Sequence, residues 1–162
     1  MWRAEIEIRR AGPQDASVIS EVLHEAFIEF KALYSEGGFA ATTPNAEQVL
    51  SRVQEGTVWV ALRDGRVLGT VAAVVEGHAG HLRGMAVLPS ARGSGAGTSL
   101  LQHAETWARE KGCTRMFLST TPFLDSAIRL YERHGFRRAE EGPHELFGTP
   151  LFTMEKSIPG PK

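Results

Sequence analysis

The chain has 162 residues, 18 lysines and arginines against 19 acids, one cysteine and a formal net charge of −1. That length suits one domain burying about two thirds of its unfolded surface; residues 1–158 are expected to form it, with 159–162 a frayed tail. Interspersed acids and bases argue against a face that binds nucleic acid by neutralising phosphates.

The opening MWRAEIEIRR lacks the apolar run of a signal peptide, and no apolar run reaches the length of a membrane span. A lone Cys113 excludes an internal disulfide and a cysteine-based zinc cluster, and reads as a small buried apolar side chain. These features suit a soluble cytoplasmic protein, with no metal and no nucleic-acid or membrane partner.

Residues 5–9 alternate charged and apolar, as in a half-buried strand. After Gly12-Pro13, a helix near Asp15 carries Val18, Ile19, Val22, Leu23, Ala26 and Phe27 on one stripe. It is expected to fade through 30–34 and to end at Gly37-Gly38, with Thr43-Pro44 starting a second helix over 46–53. Residues 57–62 and 67–75 read as a hairpin turning at Asp64-Gly65, the second strand buried on both faces. The turn 77–80 leads into a strand over 81–88.

The next stretch organises the chain. Met85 to Leu88 end a strand, Pro89 stops it, and Ser90 to Gly97 form a glycine-rich loop. Leu100, Leu101, Ala104, Trp107 and Ala108 then recur at helical spacing. A helix N-terminus behind such a loop offers unpartnered amides and partial positive charge to a phosphate. No lysine follows the glycines, so this is not a Walker loop, and their alternate spacing is not the dinucleotide fingerprint. Beyond Gly112, a helical cap, come a strand over 115–119, a helix opened by Thr121-Pro122 and closed by Gly135, a short strand from Phe136, a loop over 141–147 and a last strand over 151–154. The order βααβββαβαββ describes an α/β fold around a twisted, mostly antiparallel sheet with helices on both faces.

Arg92-x-x-Gly95-x-Gly97 behind this strand resembles the acetyl-CoA pyrophosphate loop of the GCN5-related N-acetyltransferases, the GNAT family. Ala127 to Phe136 resembles that family's AxxLYxxxGF signature, and the order of elements matches its fold along nearly the whole chain. The resemblance implies that Met85, Ala86 and Val87 offer backbone groups to the pantetheine arm, one amide polarising the thioester carbonyl. It implies that Arg92, Gly93, Ser94, Gly95, Ala96, Gly97 and Thr98 hold the pyrophosphate. Tyr131 would reach the sulfur of coenzyme A and stabilise the departing thiolate. Phenols titrate above thiols, so a hydrogen bond serves better there than full proton transfer.

Two positions depart from the family pattern. Leu124 replaces an asparagine that bonds the pantetheine, and Ser119 stands where a basic glutamate is often found. His81, six residues before Val87, is the candidate base acting through water, with Glu76, His78 and His144 as rivals. Phe30, Tyr34 and Phe39 are candidate walls of the acceptor pocket, and Glu29 and Glu36 candidate partners for an ammonium. Arg129, Arg133, Arg137 and Arg138 are candidates for the 3′-phosphate of coenzyme A.

The function implied is acetyl transfer from acetyl-CoA to a primary amine, on a small molecule or peptide, by direct attack in a ternary complex. The alternative is a coenzyme A-binding module without catalysis. A homodimer is a further expectation from the resemblance.

Overall fold

The computed structural model describes residues 5–159; residues 1–4 of the charged opening and 160–162 of the expected tail lie outside the described residues. The chain runs β1 (Glu7–Arg10), α1 (Ala16–Phe27), α2 (Glu36–Thr42), α3 (Ala46–Glu55), β2 (Thr57–Arg63), β3 (Arg66–Glu76), β4 (Ala79–Val87), α4 (Ala96–Glu110), β5 (Arg115–Thr120), α5 (Asp125–Arg133), β6 (Arg137–Arg138), β7 (His144–Leu146) and β8 (Thr149–Ser157). The strands form one sheet in the order β1-β2-β3-β4-β5-β8-β6, with β7 paired to β8. Every pairing is antiparallel except β4 with β5. Helices α1 and α3 pack together on one face, and α4 covers the other. Ile19 and Leu23 from α1, Val60 and Val71 from the sheet, and Leu100 from α4 are almost completely buried.

Local chemistry explains most boundaries. Asp64 and Gly65 both have positive φ, as the tight turn between β2 and β3 requires. Several boundaries differ from expectation. Helix α1 stops at Phe27, residues 28–33 tighten into a 3-10 turn, and Gly37-Gly38 lie inside α2 instead of ending a helix. A Cβ at Gly37 would lie 2.9 Å from the Phe147 side chain, and one at Gly38 would strike the Thr149 hydroxyl. These glycines let α2 approach the β7–β8 hairpin, and they stop nothing.

Thr43 closes α2, its hydroxyl donating to the Phe39 carbonyl at 2.7 Å. The cap of α3 is Asn45: its side chain accepts from the Gln48 amide, and Gln48 accepts from the Asn45 amide, each at 2.9 Å. Likewise Thr121-Pro122 forms a turn, and α5 begins at Asp125 with Leu124 at its cap. Strand β7 occupies part of the expected 141–147 loop.

One feature of the sheet positions everything that follows. β4 and β5 are registered only at Ala79↔Arg115, Gly80↔Met116 and His81↔Phe117. Beyond these pairs β4 continues to Val87 against β3, and β5 to Thr120 against β8, so the two strands part. The register of β4 on β3 shifts between Thr70 and Ala72, opposite Ala86 and Arg83. Gly84 lies in this bulge with φ +62°, a left-handed conformation that glycine adopts freely. A bulge bends its strand, and this one bends β4 where it leaves β5.

Candidate active site

The gap between β4 and β5 opens into a cavity of about 700 Å³. The Leu88 N–H donates to the Leu68 carbonyl on β3 at 2.8 Å. Backbone groups alternate sides along a strand, so Val87 turns its N–H and C=O toward the open side. Met85, Ala86 and Val87 all line the cavity.

At the far end of β4 the glycine loop meets α4. Gly95 caps the helix at φ 92°, ψ 0°, and no side chain crowds the space where a Cβ on Gly93 or Gly95 would point. The Ala96 amide bonds the Ser94 hydroxyl at 3.2 Å and the Ser99 amide bonds the Gly95 carbonyl. Among the described residues the amides of Gly93, Gly95, Gly97 and Thr98 have no hydrogen-bond partner. This bare backbone at a helix N-terminus fits a pyrophosphate. Gly97 has a different reason to be glycine: a Cβ there would fall 2.8 Å from Leu130 Cδ2 of α5. Ala96 is buried, and the Thr98 hydroxyl lies 3.2 Å from His134 Nε2, whose protonation burial opposes, reinforced by Lys156 and Arg133.

Tyr131 is 5% exposed and lines the cavity from α5. Among the described residues its hydroxyl has no hydrogen-bond partner. Burial raises its pKa well above the ordinary phenol value, and neighbouring Tyr34 adds to the rise. Thr121 Oγ1 is likewise buried without a partner, and Thr121 lines the same cavity. Burial also raises the Tyr34 phenol, against the pull of the nearby Thr121 and Thr42 hydroxyls. Leu124 presents an apolar side chain to the cavity. No residue pattern pointed to Thr121; its buried hydroxyl becomes visible only when the strands part.

His81 lines the cavity where β4 and β5 separate. Its ring stacks on Phe117 at 4.4 Å between centroids, and its Nδ1 lies 3.2 Å from Glu76 Oε1. A carboxylate only accepts, so this bond places the neutral ring's hydrogen on Nδ1 and leaves Nε2 as the acceptor. Ser119 lines the cavity but has no side-chain partner among the described residues. His78 and His144 are exposed and do not line it.

The residues expected to receive the acceptor differ from expectation in charge. Phe30 and Tyr34 line the cavity; Phe39 stands behind, edge-on to Tyr34 at 6.1 Å. Glu29 is paired with Arg92, and neither Glu29 nor Glu36 lines the cavity. The lining among the described residues contains no carboxylate and five arginines: Arg52, Arg83, Arg92, Arg129 and Arg133. Arg138 instead stacks over Phe152 at 4.7 Å. Cys113 is buried away from the cavity, and burial raises its thiol pKa.

A parted parallel strand pair, a bare-amide loop at a helix N-terminus and a buried tyrosine thus line one cavity. A profile described as "Acetyltransferase (GNAT) family" matches residues 19–136. The chain is 32% identical over 139 residues to an uncharacterised N-acetyltransferase, YjgM, of Escherichia coli strain K12, covering 82% of this chain and 83% of that one. It is 29% identical over 144 residues to the aminoalkylphosphonate N-acetyltransferase of Salmonella typhimurium strain LT2, covering 82% and 86%. Its fold is similar to that of the PaiA N-acetyltransferase of Thermoplasma acidophilum in complex with coenzyme A, with TM-score 0.81, 21% identity and coverage of 95% and 99%. The chain belongs to the GNAT acetyltransferase family and is an acetyl-CoA-dependent N-acetyltransferase.

Proposed function

We propose that the protein transfers acetyl from acetyl-CoA to a primary amine by direct attack within a ternary complex. The observation that carries this reading is the open edge of β4, where Val87 lines the same cavity as the bare-amide loop and Tyr131. Arg92, Gly93, Ser94, Gly95, Ala96, Gly97 and Thr98 take the pyrophosphate, and Met85, Ala86 and Val87 hold the carrier arm through their main chain. Thr121 Oγ1 supplies a buried polar group where Leu124 supplies none. The Val87 N–H faces the carbonyl oxygen that gains charge as the amine adds, an oxyanion-hole role.

An alkylammonium cannot attack until it loses a proton. His81, with Nδ1–H held by Glu76, takes that proton at Nε2, directly or through one water. The adduct's nitrogen gives up its second proton to solvent, and as the carbon–sulfur bond breaks Tyr131 donates a hydrogen bond to the leaving sulfur. Its raised pKa means that the phenol keeps its proton during this step, so Tyr131 steadies a thiolate that solvent later protonates.

The test is thiol release from acetyl-CoA with a panel of amines, comparing the wild type with Tyr131→Phe and His81→Gln. Tyr131→Phe is expected to lower kcat about tenfold or more with little change in the KM for acetyl-CoA. His81→Gln is expected to lower kcat/KM roughly 10²-fold, with the deficit shrinking at alkaline pH, where the amine is already free. Unchanged turnover in both variants would remove these residues from the mechanism.

A further inference from the structure

We infer that the acceptor amine also carries an acidic group, a carboxylate or phosphonate, seated by Arg52 and Arg83 at the β4–β5 fork. This inference rests on the acetyl-transfer reading above and names its acceptor class.

Arg52 reaches from α3 across to β4. A Cβ on Gly84 would lie only 3.0 Å from Arg52 Nη1, so the guanidinium rests on the bulge where the strand turns away from β5. Arg83 is the next residue toward His81, exposed at the rim. Both line the cavity, and among the described residues neither guanidinium makes a hydrogen bond or ion pair. Arg52 is partly buried; that burial, reinforced by the charge of Arg83, lowers its pKa. Arginine nonetheless stays charged in proteins, and an unpartnered guanidinium offers its donors to an anion.

The two acids that pair with cavity-lining side chains are not available to it. Glu29 is engaged by Arg92 and Glu76 by His81. Two adjacent cations facing a cavity without acids repel a polyamine and favour an anion, and the guanidinium fork matches carboxylate and phosphonate oxygens in pairs.

The phosphates of coenzyme A do not fill this role. Arg83 lies four residues before Val87, roughly 13 Å back along the strand, and the glycine loop begins only after Pro89. Arg92, Arg129 and Arg133 line the cavity besides. His81 and Arg83 are two positions apart on β4, about 7 Å at strand spacing. An amine facing His81 and an acid facing Arg83 therefore belong to one short molecule, its two groups separated by a few bonds.

The experiment compares ethylamine, β-alanine and 2-aminoethylphosphonate as acceptors for the wild type, Arg52→Gln and Arg83→Gln, with acetyl-CoA saturating. Calorimetry of each amine binding to the coenzyme A-loaded protein runs alongside. The wild type is expected to prefer the two acids over ethylamine by about tenfold or more in kcat/KM. Each substitution is expected to remove that preference through KM, leaving ethylamine and the KM for acetyl-CoA unchanged. Arg83 is exposed, so its replacement keeps the test open should Arg52→Gln impair folding.

Equal use of ethylamine by the wild type, or an altered acetyl-CoA KM as the main effect of either variant, overturns the inference and leaves acetyl transfer standing. Arginine-dependent binding of the acids without thiol release supports the anion seat and counts against the transfer reading. Neither binding nor release with any of the three overturns both.

Discussion

Single residues in this protein take their roles from what is left unpaired around them. Tyr131, Thr121 and Arg52 each bring a polar group to the cavity wall without a hydrogen-bond partner among the described residues, whereas the Arg9–Asp15 ion pair is fully satisfied. Asp15, 5% exposed, accepts from both Arg9 guanidinium nitrogens at 2.8 and 2.9 Å and from the Gly12 amide at 2.8 Å. The Arg9 hydrogen bond lowers the Asp15 pKa below its ordinary value, against opposition from burial. A depressed carboxylate stabilises the fold above its unfolded pKa, and that contribution disappears as pH falls through the folded one. Asp15→Asn should therefore cost about 1–3 kcal/mol at neutral pH and flatten the acid side of a stability–pH curve. Urea titrations of both proteins from pH 7 down to pH 3 measure this; parallel curves would assign no stability to the pair.

At the scale of elements, the parts written in contiguous residues were legible and the parts made by convergence were not. The strand, glycine loop and α4 follow one another without a break from Ala79 to Glu110, so apolar spacing and glycine placement announce them together. Asn45 and Gln48 also formed a legible reciprocal cap, but Thr43-Pro44 offers the same cap chemistry two residues earlier and competed with it. Arg52 and Arg83 stand 31 positions apart, and a bulge in β4 joins them; nothing local marks either one. Glu29 illustrates the converse, an acid in a plausible place whose charge is taken by Arg92.

The contact between α4 and α5 is equally invisible in sequence. Gly97→Ala would push a methyl group against Leu130, an overpacking cost of about 1–3 kcal/mol. Its melting temperature should fall, and Leu130→Ala should absorb most of that effect in the double variant. A Gly97→Ala protein as stable as the wild type would show that Leu130 yields without cost.

For the molecule as a whole, charge balance conceals a strongly polarised interior. The chain carries a net −1, yet its large cavity is lined by arginines and by no carboxylate among the described residues. Composition sums over the surface; only the fold decides which sign faces the cavity.

The parted strands also bear on how freely this site can change over evolutionary time. A ligand held by main-chain groups makes few demands on side-chain identity, so sequence can drift while the grip persists. On the proposed reading, Val87→Ile should be nearly silent and Val87→Pro damaging, because proline removes the N–H that faces the gap and spares the bonds to β3. Turnover of the proline variant should fall about 10²–10³-fold while its circular dichroism stays native. Equal activity in the two variants would move the polarising group to another residue.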